Sequence, residues 1–165
     1  MISRGSFLLS ALLLCCGGDA QVRCPRGPCP QPSDDGELIC PPGWSGFESS
    51  CFRFVPSETT WAHAERNCMA MGGHLASVHS RDEYLFIQHL IQRVSNGAPW
   101  TWIGGTDAAQ EGVWFWSDGS RFDYTHWKSG EPNNSGGNEH CVHTVGEYWN
   151  DVKCTYSYAS VCSMG

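Results

Sequence analysis

The sequence predicts an α+β fold that is held together by disulfide bonds. Two segments with helical periodicity come first, and several short strands with alternating polarity follow them. Ten cysteines stand among the 165 residues, and eight of them lie after an N-terminal segment with the features of a secretory signal. An even number of cysteines in an oxidising compartment favours disulfides over metal ligands or nucleophiles.

The first 20 residues predict a signal peptide. Arg4 supplies the positive charge, the apolar run FLLSALLLCC follows, and small residues lead to Ala20, after which we expect cleavage. This run is too short to span a bilayer, and no later segment of the sequence is long and apolar enough. We therefore expect a secreted, extracellular protein without membrane insertion.

Residues 21–39 predict an N-terminal arm. They are rich in Pro, Gly and Asp, and no hydrophobic period indicates a core. Cys24 and Cys29 lie in this arm with four residues between them. They can pair with each other or link two chains. We favour the second arrangement, which predicts a covalent homo-oligomer.

The folded domain is predicted from Cys40 onward and begins with a strand and a helix. Residues 46–55 alternate enough to form a strand. Residues 57–73 have apolar side chains at helical spacing, with Ser57 or Thr59 as the cap and a glycine pair as the stop.

Residues 80–97 predict a second helix. Ser80 and Glu83 have the spacing of a capping box, and Asn96 with Gly97 ends the segment. Its predicted apolar face consists of Tyr84, Ile87, Leu90, Ile91 and Val94.

After the second helix the hydrophobic period changes to that of strands. Short strands are predicted at 101–105, 112–120 and 141–145, and in the second of these Trp114 and Trp116 face the side opposite to their neighbours. The stretch from 117 to 140 has little regular pattern. A loop of that length in a small domain is usually functional or disordered.

Six short motifs, in order and at suitable spacing, resemble the C-type lectin domain family. They are CPPGW at 40–44, the helix at 61–68, WIGG at 102–105, EPN at 131–133, WND at 149–151 and VC at 161–162. The resemblance covers residues 40–163. With a signal peptide and a cysteine-bearing arm before it, the chain is similar to secreted fish lectins and their type II antifreeze relatives.

The resemblance implies a C-type lectin-like fold with two helices, two small antiparallel sheets and a long loop region that carries the site. It also implies three disulfides, Cys40–Cys51, Cys68–Cys162 and Cys141–Cys154. One departure is Gly105, which stands where the family usually has leucine, and we expect some loss of core packing there.

The resemblance also implies a calcium site formed by two short polar stretches, residues 131–141 and 148–154. Its ligands would be Glu131, Asn133, Glu139, Asn150 and Asp151, with a cis peptide bond before Pro132. Three carboxylates and two carboxamide oxygens suit Ca²⁺, which takes about six to eight oxygen ligands. The alternative is a polar turn with Asx-type caps, but that does not explain the match of both stretches to the family motif.

The same resemblance implies sugar binding at the calcium ion. Glu131, Asn133, Glu139 and Asn150 would also hydrogen-bond the sugar, and Val152 would offer a weak apolar contact unless it lies in the core. In the family, Glu-Pro-Asn accompanies glycans with equatorial 3- and 4-hydroxyls. We therefore predict binding of mannose, glucose, N-acetylglucosamine or fucose, and no catalytic residues.

The resemblance implies a possible position for a second calcium site. Asp107 and Glu111 match two of the ligands that the resemblance implies, and Glu139 would be shared. Asn134 and His140 stand where acidic residues are expected, and imidazole is a poor ligand for calcium.

Several other functions are disfavoured by the sequence. A formal net charge of −7 argues against nucleic acid and anionic membranes as partners. No H-E-x-x-H motif is present, so the seven histidines are expected on the surface or in loops. No nucleophile with its base was found, which argues against a hydrolase. The sequon at Asn133 would glycosylate a metal ligand, so we interpret it as a chance match.

The sequence therefore predicts a secreted, calcium-dependent lectin of mannose type that recognises glycans in innate immunity. The alternative is an antifreeze-like, ice-binding protein on the same fold.

Overall fold

A computed structural model describes residues 31–32 and 38–165. The predicted signal peptide, Cys24, Cys29 and any link between chains through them lie outside the described residues. Within the arm, β1 (Gln31–Pro32) pairs antiparallel with β2 (Leu38–Ile39), a short ribbon that the composition of the arm did not predict.

The described domain contains two α-helices and a mixed sheet, which agrees with the predicted α+β class. The helices are α1 (Trp61–Ala70) and α2 (Arg81–Ser95). The strands of the sheet are β3 (Ser45–Phe47), β4 (Ser50–Thr59), β5 (His74–Leu75), β6 (Thr101–Thr106), β7 (Phe115–Trp116), β8 (Cys141–Val145), β9 (Tyr148–Val152) and β10 (Tyr158–Met164).

The eight strands join into one sheet rather than two separate antiparallel sheets. Its main order is β3-β4-β10-β6-β8-β9, with β5 beside β10 and β7 beside β6. The link between the two halves is the parallel pairing of β10 with β6, whereas the other pairs are antiparallel. Parallel pairing joins segments that are distant in sequence, so short-range patterns do not reveal it.

The first helix begins later than predicted. Because β4 continues to Thr59, Ser57 and Thr59 remain in the strand, and Thr60 takes the N-cap position without a side-chain hydrogen bond. After the helix, Gly72 adopts a φ of +93°, which a residue with a side chain rarely adopts.

The second helix agrees with its predicted caps. The Glu83 N–H donates to the Ser80 hydroxyl at 3.1 Å, and Asn96 ends the helix in the left-handed conformation. Four of the five predicted core residues are buried. Val94 is the exception at 53% exposed, because the burial of this face ends at Ile91 and the last turn leaves the core.

Two tryptophans tie α1 to the centre of the sheet. The Trp102 indole N–H donates to the Thr59 carbonyl at 2.8 Å, and the Trp61 indole N–H donates to the Ile103 carbonyl at 2.9 Å. The expected loss of packing at Gly105 is wrong. A Cβ there would lie 2.5 Å from Val142, so neighbouring side chains already fill the space.

All three implied disulfides are present. Cys40 pairs with Cys51, Cys68 with Cys162, and Cys141 with Cys154. The last of these joins the start of β8 to the residues after β9, so it closes the hairpin on which the predicted site depends. Neither helix in the described part of the chain has the length and apolarity needed to cross a membrane.

Candidate functional site

Within the long loop from 117 to 140, the segment from Trp127 to His140 is anchored on β9 at both of its ends. Trp127 packs edge-on against Trp149 with ring centroids 5.7 Å apart, and the Lys128 N–H donates to the Trp149 carbonyl at 2.8 Å. At the other end, the His140 N–H donates to the Val152 carbonyl at 3.1 Å. The loop is therefore held against the strand that carries Asn150 and Asp151.

Asp151 connects β9 to the loop directly. Its side chain is 1% exposed, and its two oxygens accept the backbone N–H groups of Asn133 at 3.1 Å and Asn134 at 2.8 Å. Such charge-assisted bonds are stronger than neutral ones. They fix the segment after the Glu131–Pro132 bond, which is cis as the resemblance implied.

Glu131 lies beside Asp151 in an unfavourable environment for a carboxylate. Burial raises the pKa of Glu131, the negative charges of Asp151 and Glu139 raise it further, and Lys128 opposes the shift. The Oε2 atom of Glu131 is buried and has no hydrogen-bond partner among the described residues. Three acidic groups thus converge, and a cation among them would relieve their repulsion.

Asn150 also presents an unpaired oxygen. Its Oδ1 atom is buried without a partner in the described structure, while its Nδ2 lies 3.4 Å from Nε2 of His143. Burial lowers the pKa of His143 to about 4, so the ring is neutral at physiological pH and can accept this weak bond. His143 is 2% exposed, which corrects the expectation of a surface or loop histidine.

Glu139 returns towards the start of the loop through a short 3₁₀ turn (Ser135–Gly137). Gly136 and Gly137 have φ values of +75° and +72°, as a reversal of the chain here requires. One carboxylate oxygen of Glu139 accepts the Ser135 N–H at 2.8 Å. Asn133 contributes its backbone N–H to Asp151, and its side chain is exposed.

We call Glu131, Asn133, Glu139, Asn150 and Asp151 the first cluster. The structure brings its carboxylates close enough to influence one another and leaves Oε2 of Glu131 and Oδ1 of Asn150 unpaired. Buried polar atoms normally have partners, so two orphaned oxygens in one oxygen-rich group fit a hard cation such as Ca²⁺.

We call Asp107, Glu111 and His140 the second cluster. One ligand-type atom from each lies within 4.8 Å of the others, and Nδ1 of His140 is 3.0 Å from Oδ1 of Asp107. Asn134 borders this group, but its Oδ1 accepts the Glu139 N–H at 3.0 Å and its Nδ2 donates to Glu111 at 2.6 Å. The imidazole of His140 in this set is a poor ligand for calcium, so a second calcium ion at Asp107 and Glu111 stays a prediction.

Comparison with known proteins agrees with this architecture. The family model described as "Lectin C-type domain" matches residues 57–164. The chain belongs to the C-type lectin domain family. Ladderlectin of Oncorhynchus mykiss is 52% identical over 124 residues, covering 73% of this chain and 65% of ladderlectin, which is just under two thirds of its length.

Relatives of this chain differ from one another in the functions that their names state. The galactose-specific lectin nattectin of Thalassophryne nattereri is 46% identical, and the match covers 75% of this chain and 79% of nattectin. A solved calcium-independent type II antifreeze protein is 36% identical with a TM-score of 0.71, covering 78% of this chain and 96% of that protein. Lectins and antifreeze proteins are both among its relatives, as the motifs indicated.

A cleft next to the first cluster of this lectin domain was not predicted. It has a volume of about 620 Å³ and lies against Asn150 and Val152, with Trp100, Tyr156 and Tyr158 among its walls. Trp100 is 56% exposed, whereas Val152 is 6% exposed and mainly a core residue. The loop sequence predicted no aromatic neighbour for the site because these side chains come from outside the loop.

The lectin domain also contains a serine–histidine–aspartate arrangement that the sequence did not reveal. The Ser120 hydroxyl lies 3.2 Å from Nε2 of His79, and Nδ1 of His79 lies 3.0 Å from Asp123. The sequence indicated no nucleophile with its base, but the structure does place a histidine within hydrogen-bond distance of a serine hydroxyl. However, the Ser120 hydroxyl donates to Asp118 at 2.6 Å, so its proton is not directed at His79.

Asp118 is a strong acceptor in this arrangement. Burial alone would raise its pKa, but hydrogen bonds from Ser120 and Ser77 lower the pKa below its usual value. The ionised carboxylate therefore holds both hydroxyls, and its oxygen also accepts the Ser120 backbone N–H at 2.8 Å. This network closes a turn of the loop, and it does not activate Ser120.

Proposed function

We propose that this chain is a calcium-dependent lectin that binds mannose-type glycans through the first cluster. The observation that carries the proposal is the pair of buried, unpaired oxygens, Oε2 of Glu131 and Oδ1 of Asn150. Both are on predicted calcium ligands, and Asp151 holds the loop in place beside them. Extracellular calcium modules bind with a Kd of about 10⁻⁴ to 10⁻³ M, so extracellular calcium would fill the site.

The residues of the first cluster would recognise the sugar while they hold the ion. A calcium ion would supply coordination positions for two neighbouring hydroxyls of a sugar. Glu131 and Glu139 would accept hydrogen bonds from these hydroxyls, and Asn133 and Asn150 would donate to them through their NH₂ groups. The exposure of the Asn133 side chain supports a role towards a ligand in solvent.

The order of acceptor and donor supports the mannose-type preference. Glu131 precedes Pro132 and Asn133 follows it, which is the order that the family associates with equatorial 3- and 4-hydroxyls. Nattectin is named galactose-specific, so membership of the family does not set the sugar. The order of residues in this loop therefore supports the preference more directly than the overall similarity does.

The location and biological role that we propose for this activity rest on the predictions from the sequence. We propose that the signal peptide (residues 1–20) is removed, that the protein is secreted, and that it recognises glycans in innate immunity. Because a single exposed sugar contact is weak, roughly millimolar, the function would require several sites on one particle. Links through Cys24 and Cys29 would supply them, and a non-reducing gel tests for such links.

Catalysis is not part of the proposal. The hydroxyl of Ser120 is bonded to Asp118, and the first cluster has ligands for an ion and a sugar rather than a nucleophile. A substrate ester that is hydrolysed at a rate dependent on Ser120 would contradict this.

The direct test is retention on mannose resin. We expect binding in calcium, elution by a chelator, and loss in mild acid because protons compete with calcium for the carboxylates. Glu131→Gln should abolish retention, whereas Glu58→Gln, on the exposed end of β4, should not. Retention in excess chelator would contradict calcium dependence.

Ice binding is the second candidate, supported by the similarity to a calcium-independent type II antifreeze protein. Thermal hysteresis of the pure protein distinguishes the two functions. Hysteresis without retention on any sugar resin would favour ice binding, whereas the proposed lectin should bind sugar and show none.

A further inference from the structure

The second cluster has a ligand set that differs from that of the first. It offers two carboxylates, from Asp107 and Glu111, and one imidazole, from His140. Calcium binds oxygen ligands and disfavours the imidazole, whereas zinc accepts both imidazole nitrogen and carboxylate oxygen as ligands. The replacement of an expected acidic residue by His140 therefore changes which metal suits this position.

The distances in the second cluster agree with the size of a zinc site. Nδ1 of His140 lies 3.0 Å from Oδ1 of Asp107 and 3.5 Å from Oε2 of Glu111. Four ligands at about 2.0 to 2.1 Å in a tetrahedron place neighbouring donor atoms about 3.3 to 3.4 Å apart. These two separations lie on either side of that value, and the ligand-type atoms of all three residues lie within 4.8 Å of one another, so the side chains would draw together around one ion.

The backbone around the second cluster is already fixed. Asp107 directly follows β6, and His140 directly precedes β8, its antiparallel neighbour. The His140 carbonyl accepts the Thr106 hydroxyl at 2.7 Å and the Asp107 N–H at 3.2 Å. The Gly112 N–H donates to the second oxygen of Asp107 at 2.8 Å, which orients this carboxylate.

The exposure of the three side chains leaves a path for an ion. Asp107 is 1% exposed and forms the floor, while the side chains of His140 and Glu111 are 29% and 56% exposed. Asn134 donates to Glu111 at 2.6 Å and orients it from the side of the loop. Such outer hydrogen bonds fix the ligands of many metal sites.

We propose that Asp107, Glu111 and His140 form a zinc site, with water as the fourth ligand. The site stands apart from the calcium ligands of the first cluster, although Asn134 and Glu139 connect the two. This inference does not depend on sugar binding, because the three ligands and their geometry are complete without any residue that we assign to the sugar.

The test is a calorimetric titration of the full, metal-stripped chain with zinc chloride, without calcium and again in excess calcium. We expect one zinc ion per chain under both conditions. His140→Ala should weaken binding at least tenfold, and His89→Ala, which removes an exposed histidine of α2, should leave it unchanged. Glu111→Gln, at an exposed turn, provides a second variant if His140→Ala does not fold.

A second readout separates a metal ligand from a structural histidine. On addition of zinc, the imidazole nitrogen resonances of His140 should shift and those of His89 should not. Four results would overturn the proposal. They are no zinc binding by the wild type, wild-type zinc affinity in both His140→Ala and Glu111→Gln, a loss of affinity in His89→Ala as large as that in His140→Ala, and displacement of zinc by excess calcium. Because the calcium-free titration does not involve the sugar, its failure would leave the lectin proposal untouched.

Discussion

The two clusters lie side by side, connected through Asn134 and Glu139, and differ in the groups that they bring together. In the first cluster, three carboxylates converge, the pKa of Glu131 is raised, and two oxygens have no partner. In the second cluster, His140 lies between two carboxylates, and Asn134 donates to one of them. A cation would relieve the repulsion in the first arrangement, whereas the second combines an imidazole with two carboxylates, a ligand set for a different metal.

The difference arises from adjacent residues in the sequence. Glu139 belongs to the first cluster and His140 to the second, while Asn133 and Asn134 both donate their N–H groups to Asp151 but direct their side chains differently. In each pair, the first residue therefore belongs to the first cluster and the second residue contacts or belongs to the second cluster. Under the proposed assignments, the oxygen-to-nitrogen replacement at His140 would make the two neighbouring sites prefer different metals.

The largest effect is expected from removal of the buried carboxylate of Asp151. Asp151→Ala leaves two backbone N–H groups unpaired, at about 1 to 3 kcal/mol each, and removes a predicted ligand. We expect a loss of about 2 to 6 kcal/mol in the free energy of unfolding and no measurable calcium binding. Denaturant unfolding in a chelator measures the first without a contribution from bound calcium, and calorimetric titration with calcium measures the second.

Asp107→Ala is the matched variant in the second cluster, and its stability is compared with that of Asp151→Ala. Asp107 is as buried as Asp151, but Asp107→Ala leaves one backbone N–H unpaired, that of Gly112, and also removes the carboxylate next to His140. It should lose about half as much stability and keep calcium binding. The exposed Asp123→Ala serves as the control. Equal losses for Asp107→Ala and Asp151→Ala would mean that the two clusters contribute to the fold in the same way.

A pH effect of about 3 kcal/mol is expected from His143, beneath Asn150. Because its folded pKa is lowered from 6.5 to about 4, the unfolded chain takes up a proton first as the pH falls. The contribution of His143 to stability is complete above pH 6.5 and is lost progressively down to about pH 4. His143→Gln should remove this part of the loss.

Unfolding in a chelator between pH 7 and pH 4 measures the effect of His143 without calcium. His89→Gln provides the control, because His89 is exposed on α2. If wild type and His143→Gln lose stability in parallel across this range, His143 is not the buried neutral group that the structure indicates.

A smaller effect is expected on sugar preference. The double change Glu131→Gln with Asn133→Asp exchanges acceptor and donor while it keeps the side-chain volumes and total charge. We expect weaker mannose binding and some galactose binding, because each mismatched hydrogen bond costs about 1 to 3 kcal/mol. Inhibition by methyl mannoside and methyl galactoside at fixed calcium measures the exchange. An unchanged preference with calcium still bound would place selectivity elsewhere, for example in the cleft with Trp100.

Local signals predicted the parts of the fold that depend on neighbouring residues. The caps of α2, the alternation around Trp116 and the turn at Gly136 and Gly137 are set within a few residues. The family motifs supplied the three disulfides and the α+β architecture. Long-range pairing was less accessible, because the parallel contact of β6 with β10 joins segments that are far apart in sequence.

The candidate site was predictable only in part for the same reason. Its ligands lie in two compact motifs, but their partners do not. His143 reaches Asn150 through strand pairing, Trp100 and Tyr156 approach from other segments, and His79 meets Ser120 across 41 positions. Helix ends also depend on context, since the continuation of β4 moved the cap of α1 to Thr60.

Calcium stoichiometry measured by calorimetry, on wild type and two matched variants, tests the distinction between the clusters most directly. We expect one calcium ion per chain in wild type, none in Glu131→Gln, and one with unchanged affinity in Glu111→Gln. These two substitutions are chemically identical and remove one charge from each cluster. Loss of calcium in Glu111→Gln with retention in Glu131→Gln, or no calcium binding by wild type, would contradict the assignment of calcium to the first cluster.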